Sequence, residues 1–599
     1  MKQKMNVNEQ WFLKGLNGNP SELAKSLSVS KLLAGLLLLR SVTDEAEARW
    51  FLEPDSSKMY SPFLMKDMDR AVEVIRDAAA KGFRVMIVGD YDVDGITGIY
   101  ILESVLRKVF SNVIHHVPHR MEDGYGINDK IIDIADEAGI GLIITCDNGI
   151  SAWEQAAAAK QLGIRMVVTD HHEVPFEIDE TGGKRYRIPD ADAVVDPKQE
   201  DCKYPFKKLC GAAVAYKLVL ALCEKMDIRL TQEESDTLIS MAAIATICDI
   251  VDLVDENREI VAQGLELLNG EVHNRGIHAL LCVCGGANKR LKAFDIGHVI
   301  GPCINAAGRL GTAELAVGLL FEKDSTEAVR KAESILELNR KRQDITKDGF
   351  EQALLKISEE QIDRNKVMLV YLPEVHESVL GIIAGKIKDR FAKPTIVLAD
   401  AQDGFVKGSG RSVDGYNLLE AISAVQHLLV KFGGHALAIG ITIDRETLPQ
   451  FAKELNETCT LDEKDQVPIV RIDMSIESSV LGFSLLDDLN RLEPFGRGNE
   501  KPLFAMKKTR LVYAMLVGSK KSVVKMKLET APMRDIDAVF FGETEAFLQV
   551  LGLKPNERYI LVDASSPMDV DILFYPELND YFGGKKLQLV VRNIRKSQG

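Results

Sequence analysis

No stretch of this chain approaches the ~18 to 20 uninterrupted apolar residues that a membrane-spanning helix needs, and its most apolar early run, residues 32–39, is far too short. The N-terminus also lacks the basic-then-apolar pattern of a secretory signal. A soluble, cytoplasmic protein is therefore expected. Cysteine is sparse: nine residues, scattered singly apart from the Cys282-x-Cys284 pair. No zinc-ligand spacing occurs, and an odd count without a secretory signal argues against a disulfide framework. Cys146 and Cys248 fall inside apolar runs and read as small core residues. Aromatics make up only 6% of the chain, and neither an internal repeat nor a low-complexity tract is visible. Basic residues are in overall deficit, with a formal net charge of −15. That deficit does not exclude a nucleic-acid partner, because phosphate affinity depends on local basic surface rather than on the total.

What the chain has is length. Its 599 residues exceed one compact core and imply roughly three to five domains. Residues 505–599 carry 15 Lys plus Arg against 11 Asp plus Glu, a local balance of +4 that leaves −19 for the rest. An acidic body with a mildly basic tail suits a metal-binding core joined to a nucleic-acid-holding module.

From Arg84 onward, apolar runs alternate with helical segments: RVMIVG (84–89), NVIHHVP (112–118), GLIITC (141–146), RMVVT (165–169) and DAVVD (192–196), with helices near 96–108, 128–138 and 151–162. Such alternation predicts a parallel sheet covered on both faces, an α/β domain. Helices are expected earlier at 20–27, 32–39 and 43–51, and again from Tyr204 to about residue 270. A charged, proline-free stretch over 325–361 predicts a long connector helix. A second α/β unit follows, with strands at 366–372 and 394–399 around a helix at 378–390. Past the turn PFGRGNEKP, the runs TRLVYAML, VVKMKLE, DAVFF, RYILVDA and KLQLVVRNI fit a small barrel such as an OB-fold. The expected divisions are an N-terminal helical segment over 1–75, the parallel-sheet domain over 76–270, and a helical region with the connector over 271–362. The second α/β domain follows over 363–458 and the barrel domain over 459–599.

Three strand ends carry metal-ligand residue types. Strand 84–89 runs into Asp90, Asp92 and Asp94; strand 141–146 into Asp147; strand 165–169 into Asp170, His171 and His172. In an open parallel sheet the ligand site lies where the C-terminal strand ends meet, so these clusters converge. Any one alone reads as a turn or a structural pair; together they read as a metal site. Carboxylates with imidazole suit Mn²⁺ or Mg²⁺, and two such ions can activate water and clamp phosphate oxygens. Four or more aspartates cannot all ionise in one pocket without cations, because like charges raise each other's pKa.

GDYDVDG (89–95), CDNGIS (146–151) and TDHHE (169–173) are similar to the signature segments of the DHH phosphoesterase family. ATICDIVDLVDENR places Asp249 where the family's exonuclease branch carries a further aspartate. The resemblance implies that Asp92, Asp94, Asp147, His171 and Asp249 are ligands, with Asp147 bridging two ions and Asp90 a ligand or a neighbour of one. It implies that Asp170 orients His171 and that His172 faces the scissile phosphate. RMEDGYGIN (120–128), GPCINAAGRLG (301–311), KGSGRS (407–412), FGGHALAIG (432–440) and LEPFGRGN (492–499) extend the resemblance over most of the chain. From these segments, Arg120, Ser409 and Arg411 are expected to hold a terminal phosphate, with Arg309 and His435 as further substrate contacts. The Gly-Gly-His segment is expected to be a loop that brings backbone close to phosphate. Cys303 stands where the branch usually has a basic residue, and Ser378 and Lys386 where it usually has Gly and Arg.

The resemblance thus implies a metal-dependent 5′-to-3′ exonuclease of single-stranded DNA acting in repair and recombination. It would be a monomer, with a helicase and a single-strand-binding protein as candidate partners. Lys520, Lys521, Lys525 and Lys527, around one predicted hairpin of the barrel, suit a strand-binding groove or simply a solvated face. Two alternatives remain: a DHH phosphodiesterase of short oligoribonucleotides or cyclic dinucleotides, and a non-catalytic replication scaffold.

Overall fold

Strands β1 (Val85–Val88), β2 (Val113–His116), β3 (Leu142–Cys146), β4 (Arg165–Thr169) and β5 (Ala193–Val195) form one sheet in the order β2-β1-β3-β4-β5, every pair parallel. Alternate residues enter two separate cores: Val85, Ile87, Leu142, Ile144 and Val167 on one face, Met86, Val88, Ile143, Met166 and Val168 on the other. Burial on both faces is why these runs read as continuously apolar. The sequence doubles back between β1 and β3, so their carboxyl ends flank the crevice where such sheets bind ligands. Helix α1 (Val93–Leu106) leaves β1, while α2 (Gly211–Met226) and α3 (Gln232–Cys248) pack against it.

These elements belong to one of two compact units in the computed structural model, which describes residues 9–120, 123–178, 183–286, 289–401, 404–462, 468–531, 534–556, 558–579 and 584–597. The first unit is Glu53–Asp344 with Pro494–Glu500; the second is Met1–Leu52, Ile345–Glu493 and Lys501–Gly599. The first also holds α4 (Gly301–Leu310), and α5 (Ser325–Glu359) is the expected connector, a single helix of 35 residues. No described helix is long and apolar enough to cross a membrane.

In the second unit, β6 (Met368–Tyr371), α6 (Leu380–Phe391) and β7 (Thr395–Asp400) form the expected α/β core. The sheet continues through β8 (Val406–Arg411), β9 (Lys431–His435) and β10 (Ala438–Ile443) in the order β9-β10-β8-β7-β6. The Gly-Gly-His segment is therefore strand β9, not a loop. Glycine-rich runs carry little strand propensity, and neighbouring strands override it here. A short strand near the N-terminus, Gln10–Leu13, pairs with Ile469–Ile472 in this unit.

The barrel is closed by five strands: β11 (Phe504–Val517), β12 (Val523–Ala531), β13 (Arg534–Phe540), β14 (Met568–Asn579) and β15 (Lys586–Lys596). They follow the circuit β11-β12-β13-β15-β14 and back to β11. RYILVDA supplies only Ile560–Val562, which pairs with β11 off that circuit. The fifth stave is instead β14, whose Pro576 and acidic residues mask a strand pattern in sequence.

Candidate metal centre

Each strand end in the first unit delivers its side chain through a specific local device. Asp92 caps α1, its Oδ1 accepting from the amides of Asp94 (2.9 Å) and Gly95 (3.3 Å). Asp94 reaches across to the N-terminus of α2, where its two oxygens accept from Gly211 and Ala212, both at 2.7 Å. Gly211 is obligatory in that packing: a Cβ there would lie 2.5 Å from Asp147 Cβ. Asp147 itself is at φ 63°, a conformation that aspartate tolerates better than most residues. Asp249 is the C-cap of α3.

The side chains converge. His171 Nε2 lies 3.1 Å from Asp147 Oδ1, 3.7 Å from Asp94 Oδ2 and 3.8 Å from Asp249 Oδ2. Three groups have ligand atoms all within 4.8 Å of one another: Asp90, Asp92 and Asp147; Asp94, His171 and Asp249; and Asp147, His171 and His172. Asp147 belongs to two of them. Burial, reinforced by neighbouring aspartates, pushes the carboxyls of Asp90, Asp94 and Asp147 up, and that of Asp249 up to about 8. The buried Asp90 Oδ1 has no hydrogen-bond partner among the described residues. Burial drives His171 down to about 4, leaving its imidazole neutral. Crowded carboxylates, an orphaned oxygen and a neutral imidazole are a donor set for hard to borderline divalent cations, Mn²⁺ or Mg²⁺.

Asp170 does not orient His171 by its ring. Its Oδ1 accepts from the His171 amide at 2.7 Å and from His172 Nδ1 at 2.7 Å, so the carboxylate–imidazole pair is Asp170–His172. A carboxylate turned back onto its own chain captures the second of two consecutive histidines, and the first is left to face Asp147. Burial would raise Asp170, yet the His172 hydrogen bond and charge hold it down to about 2. His172 in turn is carried up to about 9 by Asp170 against the opposing effect of burial.

Three further residues border this site: Tyr125, Asn305 and Asp196. Tyr125 Oη donates to the Asp147 carbonyl at 2.7 Å and lies 3.1 Å from a His172 ring nitrogen. It sits in the RMEDGYGIN segment, of which Met121 and Glu122 lie outside the described residues. Asn305 of α4 accepts from the Val93 amide at 3.0 Å, fixing the Asp92–Asp94 turn. Asp196, just past β5, is fully buried, its Oδ2 has no hydrogen-bond partner among the described residues, and burial pushes it up to about 8. Its position directly at a strand end repeats the pattern of the other aspartates and was legible on that ground.

The expected substrate contacts fall in both units. In the first, Arg120 stacks over the Tyr91 ring at 4.7 Å, beside a cavity of about 100 Å³ that Tyr91, Arg120, Gly308 and Thr312 help to line. Arg309 of α4 is pushed down to about 10 by burial and by the charges of Arg120 and Arg342, the mark of a crowded cationic corner. In the second unit, Ser409 and Arg411 share one face of β8, and Arg411 Nη1 donates to Ser409 Oγ at 3.1 Å. Gly381, in the first turn of α6, lets both approach: a Cβ there would lie 2.7 Å from Arg411 Nη2 and 2.9 Å from Ser409 Oγ. His435 ends β9 and is exposed; it and Arg411 are both register partners of Ala438. A hydroxyl, a guanidinium and the first turn of a helix at one spot could hold an anion. On the barrel, Lys525 and Lys527 point outward while Val524, Met526 and Leu528 point in.

The chain matches the model of the DHH family N-terminal domain over residues 84–246, the DHHA1 domain over 364–461 and the RecJ OB domain over 472–593. It is 34% identical over 579 residues to the single-stranded-DNA-specific exonuclease RecJ of Bacillus subtilis, covering 96% of this chain and 69% of that one. This chain belongs to the RecJ family. Its fold is that of a crystal structure of RecJ with Mn²⁺ from Thermus thermophilus, with a TM-score of 0.81, 24% identity, and coverage of 99% of this chain and 81% of that one. A crystal structure of exonuclease RecJ bound to manganese aligns with a TM-score of 0.56 at 29% identity over 67% of this chain and 96% of its own.

Proposed function

We propose that the chain is a metal-dependent exonuclease that hydrolyses single-stranded DNA from its 5′ end, releasing mononucleotides for repair and recombination. The convergence of Asp90, Asp92, Asp94, Asp147, His171 and Asp249 at the carboxyl edge of one parallel sheet carries this reading. Those six side chains would hold two Mn²⁺ or Mg²⁺ ions, with Asp147 shared between them. Bound there, the ions supply Lewis-acid stabilisation of phosphoryl charge and activation of the attacking water. His172, protonated and oriented by Asp170, offers a cation to the scissile phosphate. Arg120, Ser409 and Arg411 would hold the terminal phosphate, with Arg309 and His435 as further substrate contacts. The relatives that match along this chain are named single-stranded-DNA-specific exonucleases, and the closed barrel, an architecture that commonly binds single strands, supports the same substrate. The chain would comprise an N-terminal helical segment over 1–75, the catalytic domain over 76–270, a helical region with the connector over 271–362, the substrate-holding domain over 363–458 and the barrel domain over 459–599.

A helicase or a single-strand-binding protein is the class of partner that delivers such a strand. One chain supplies every group of the acidic cluster, which supports a monomer. A cytoplasmic site of action completes the proposal.

The test is digestion of long single-stranded DNA labelled separately at each end, with Mn²⁺, beside the same sequence as RNA and a set of dinucleotides. Immediate release of 5′-labelled mononucleotide, while the 3′-labelled strand merely shortens, is the expected result. Intact DNA with cleaved di- to pentanucleotides would establish a small-substrate phosphodiesterase instead. No cleavage of any substrate would leave a scaffold.

A further inference from the structure

We propose that Phe294 and His298 form a stacking platform for an unpaired base of the substrate strand, an inference that rests on the single-strand reading above. Phe294 is 64% exposed, although a phenylalanine gains most by burial. Its ring lies on that of His298, centroids 4.1 Å apart and planes at 13°, and His298 is exposed as well. With one face covered by the imidazole, the surface that Phe294 shows to solvent is its other face and edge. Every base has a π-face, so such a surface takes bases without regard to sequence.

The platform is joined through packed residues to the helix end that carries Asp249. Phe294 lies in the short helix Ala293–Asp295, which runs into a π-helical turn, Ile296–Ile300, and then α4. A π-turn is uncommon and is frequent at functional sites. Its inner side is fixed: Ile296 and Ile300 are buried, and Cys248 Sγ lies 3.9 Å from the Ile296 carbonyl. Gly301 leaves no room for a side chain against Cys248, since a Cβ would stand 2.4 Å from its sulfur. Cys248 is the last residue of α3, immediately before Asp249. Ile250, immediately after it, is 64% exposed at φ 58°, a backbone conformation rare for a β-branched side chain. A second exposed apolar group thus leaves the same helix end as the metal-facing carboxylate.

Charge complements the aromatic face. Lys289, Arg290 and Lys292 precede Phe294 within five residues; Lys289 is paired with Asp295 at 2.5 Å and Arg290 with Glu266 at 3.1 Å, exposed pairs of the kind that hold weakly and that a phosphate can displace. Cations for phosphates interleaved with rings for bases is the composition of a groove that tracks a single strand.

The experiment measures binding of fluorescent oligothymidylate to the full chain in chelator, where no strand is cut. A strand of equal length lacking bases is measured in parallel. Phe294→Ala is expected to weaken oligothymidylate binding by about tenfold, Phe294→Trp to restore it, and His298→Ala to weaken it by a smaller factor. The base-free strand is expected to bind equally to the wild type and Phe294→Ala. Unchanged oligothymidylate affinity in Phe294→Ala overturns the platform, as does an equal loss on the base-free strand. Failure of Phe294→Trp to restore binding overturns it too, and guards against a folding defect in the alanine variant. A wild type that binds base-free and base-bearing strands equally refutes stacking while leaving the exonuclease reading intact; one that binds neither refutes both.

Discussion

Asp170 and His172 share a 2.7 Å hydrogen bond, while the adjacent His171 turns its Nε2 to 3.1 Å from Asp147. Two consecutive imidazoles therefore live in opposite surroundings. A neutral imidazole offers a lone pair to a cation, and a protonated one offers charge to an anion. In the proposed mechanism His171 serves the metal and His172 the phosphate.

Tyr125 ties these parts together through the Asp147 carbonyl and the His172 ring. Replacing Tyr125 by Phe removes one hydroxyl at a partly exposed position. Turnover of single-stranded DNA is expected to fall about tenfold, the upper worth of one hydrogen bond to a neutral carbonyl, with an unchanged melting temperature. Steady-state kinetics beside a thermal melt check this.

Arg411 and Ser409 face the first turn of α6, where the proposed function places the terminal phosphate. Arg411→Ala is expected to raise KM for 5′-phosphorylated strands by roughly 10- to 100-fold, consistent with loss of a charge-assisted bond. Strands ending in a 5′-hydroxyl should respond much less. Comparing KM for the two strand ends, in wild type and variant, provides the measurement.

His115 gives a pH signature away from the metal centre. Burial alone would lower its imidazole, but hydrogen bonds to Glu103 (2.7 Å) and Glu314 (3.1 Å) carry it up to about 9. Because the folded value lies above the ordinary 6.5, the stabilisation is complete below about pH 6.5 and is lost as pH rises through about 9. The rise of about 2.5 pKa units corresponds to about 3 kcal/mol at 1.36 kcal/mol per unit. The difference in melting temperature between wild type and His115→Gln should therefore shrink steadily from pH 6 to pH 10.

Lys217 and Glu256 form an ion pair of 2.5 Å with both side chains essentially buried. Glu256 also accepts from the Tyr60 amide and from Tyr204 Oη, pinning the segment that precedes the parallel sheet. Glu256→Ala strands a buried ammonium and is expected to cost roughly 3–5 kcal/mol. The double change to Lys217→Met with Glu256→Met should recover only part of it, because the Tyr60 amide and Tyr204 hydroxyl lose their acceptor in both variants, as read by denaturant unfolding.

The parts of the fold that could be read from sequence are those where pattern and burial coincide. The five apolar runs from Arg84 to Asp196 appear as parallel strands because burial on both faces leaves no polar alternation to misread. Asp90, Asp92, Asp94, Asp147 and His171 were visible because each follows such a run directly. Strands β8 to β10 were not, since Gly408, Gly410, Gly433 and Gly434 hide them; Gly408 and Gly410 pack against Leu398 and Ile439 where larger side chains would clash. Tyr125 and Asn305 act across long sequence separations, and no local pattern announces such contacts. The Asp170–His172 pairing turned on a rotamer, which lies below the resolution of sequence.

Manganese binding to the full chain, followed by paramagnetic resonance during titration, addresses the acidic cluster most directly. Two ions per chain are predicted, magnetically coupled through the shared Asp147, and Asp147→Asn is predicted to abolish the coupling and to lower turnover at least a thousandfold while the metal-free protein melts no earlier than wild type. Saturation at no ion, or two coupled ions that persist with full activity in Asp147→Asn, would contradict the account.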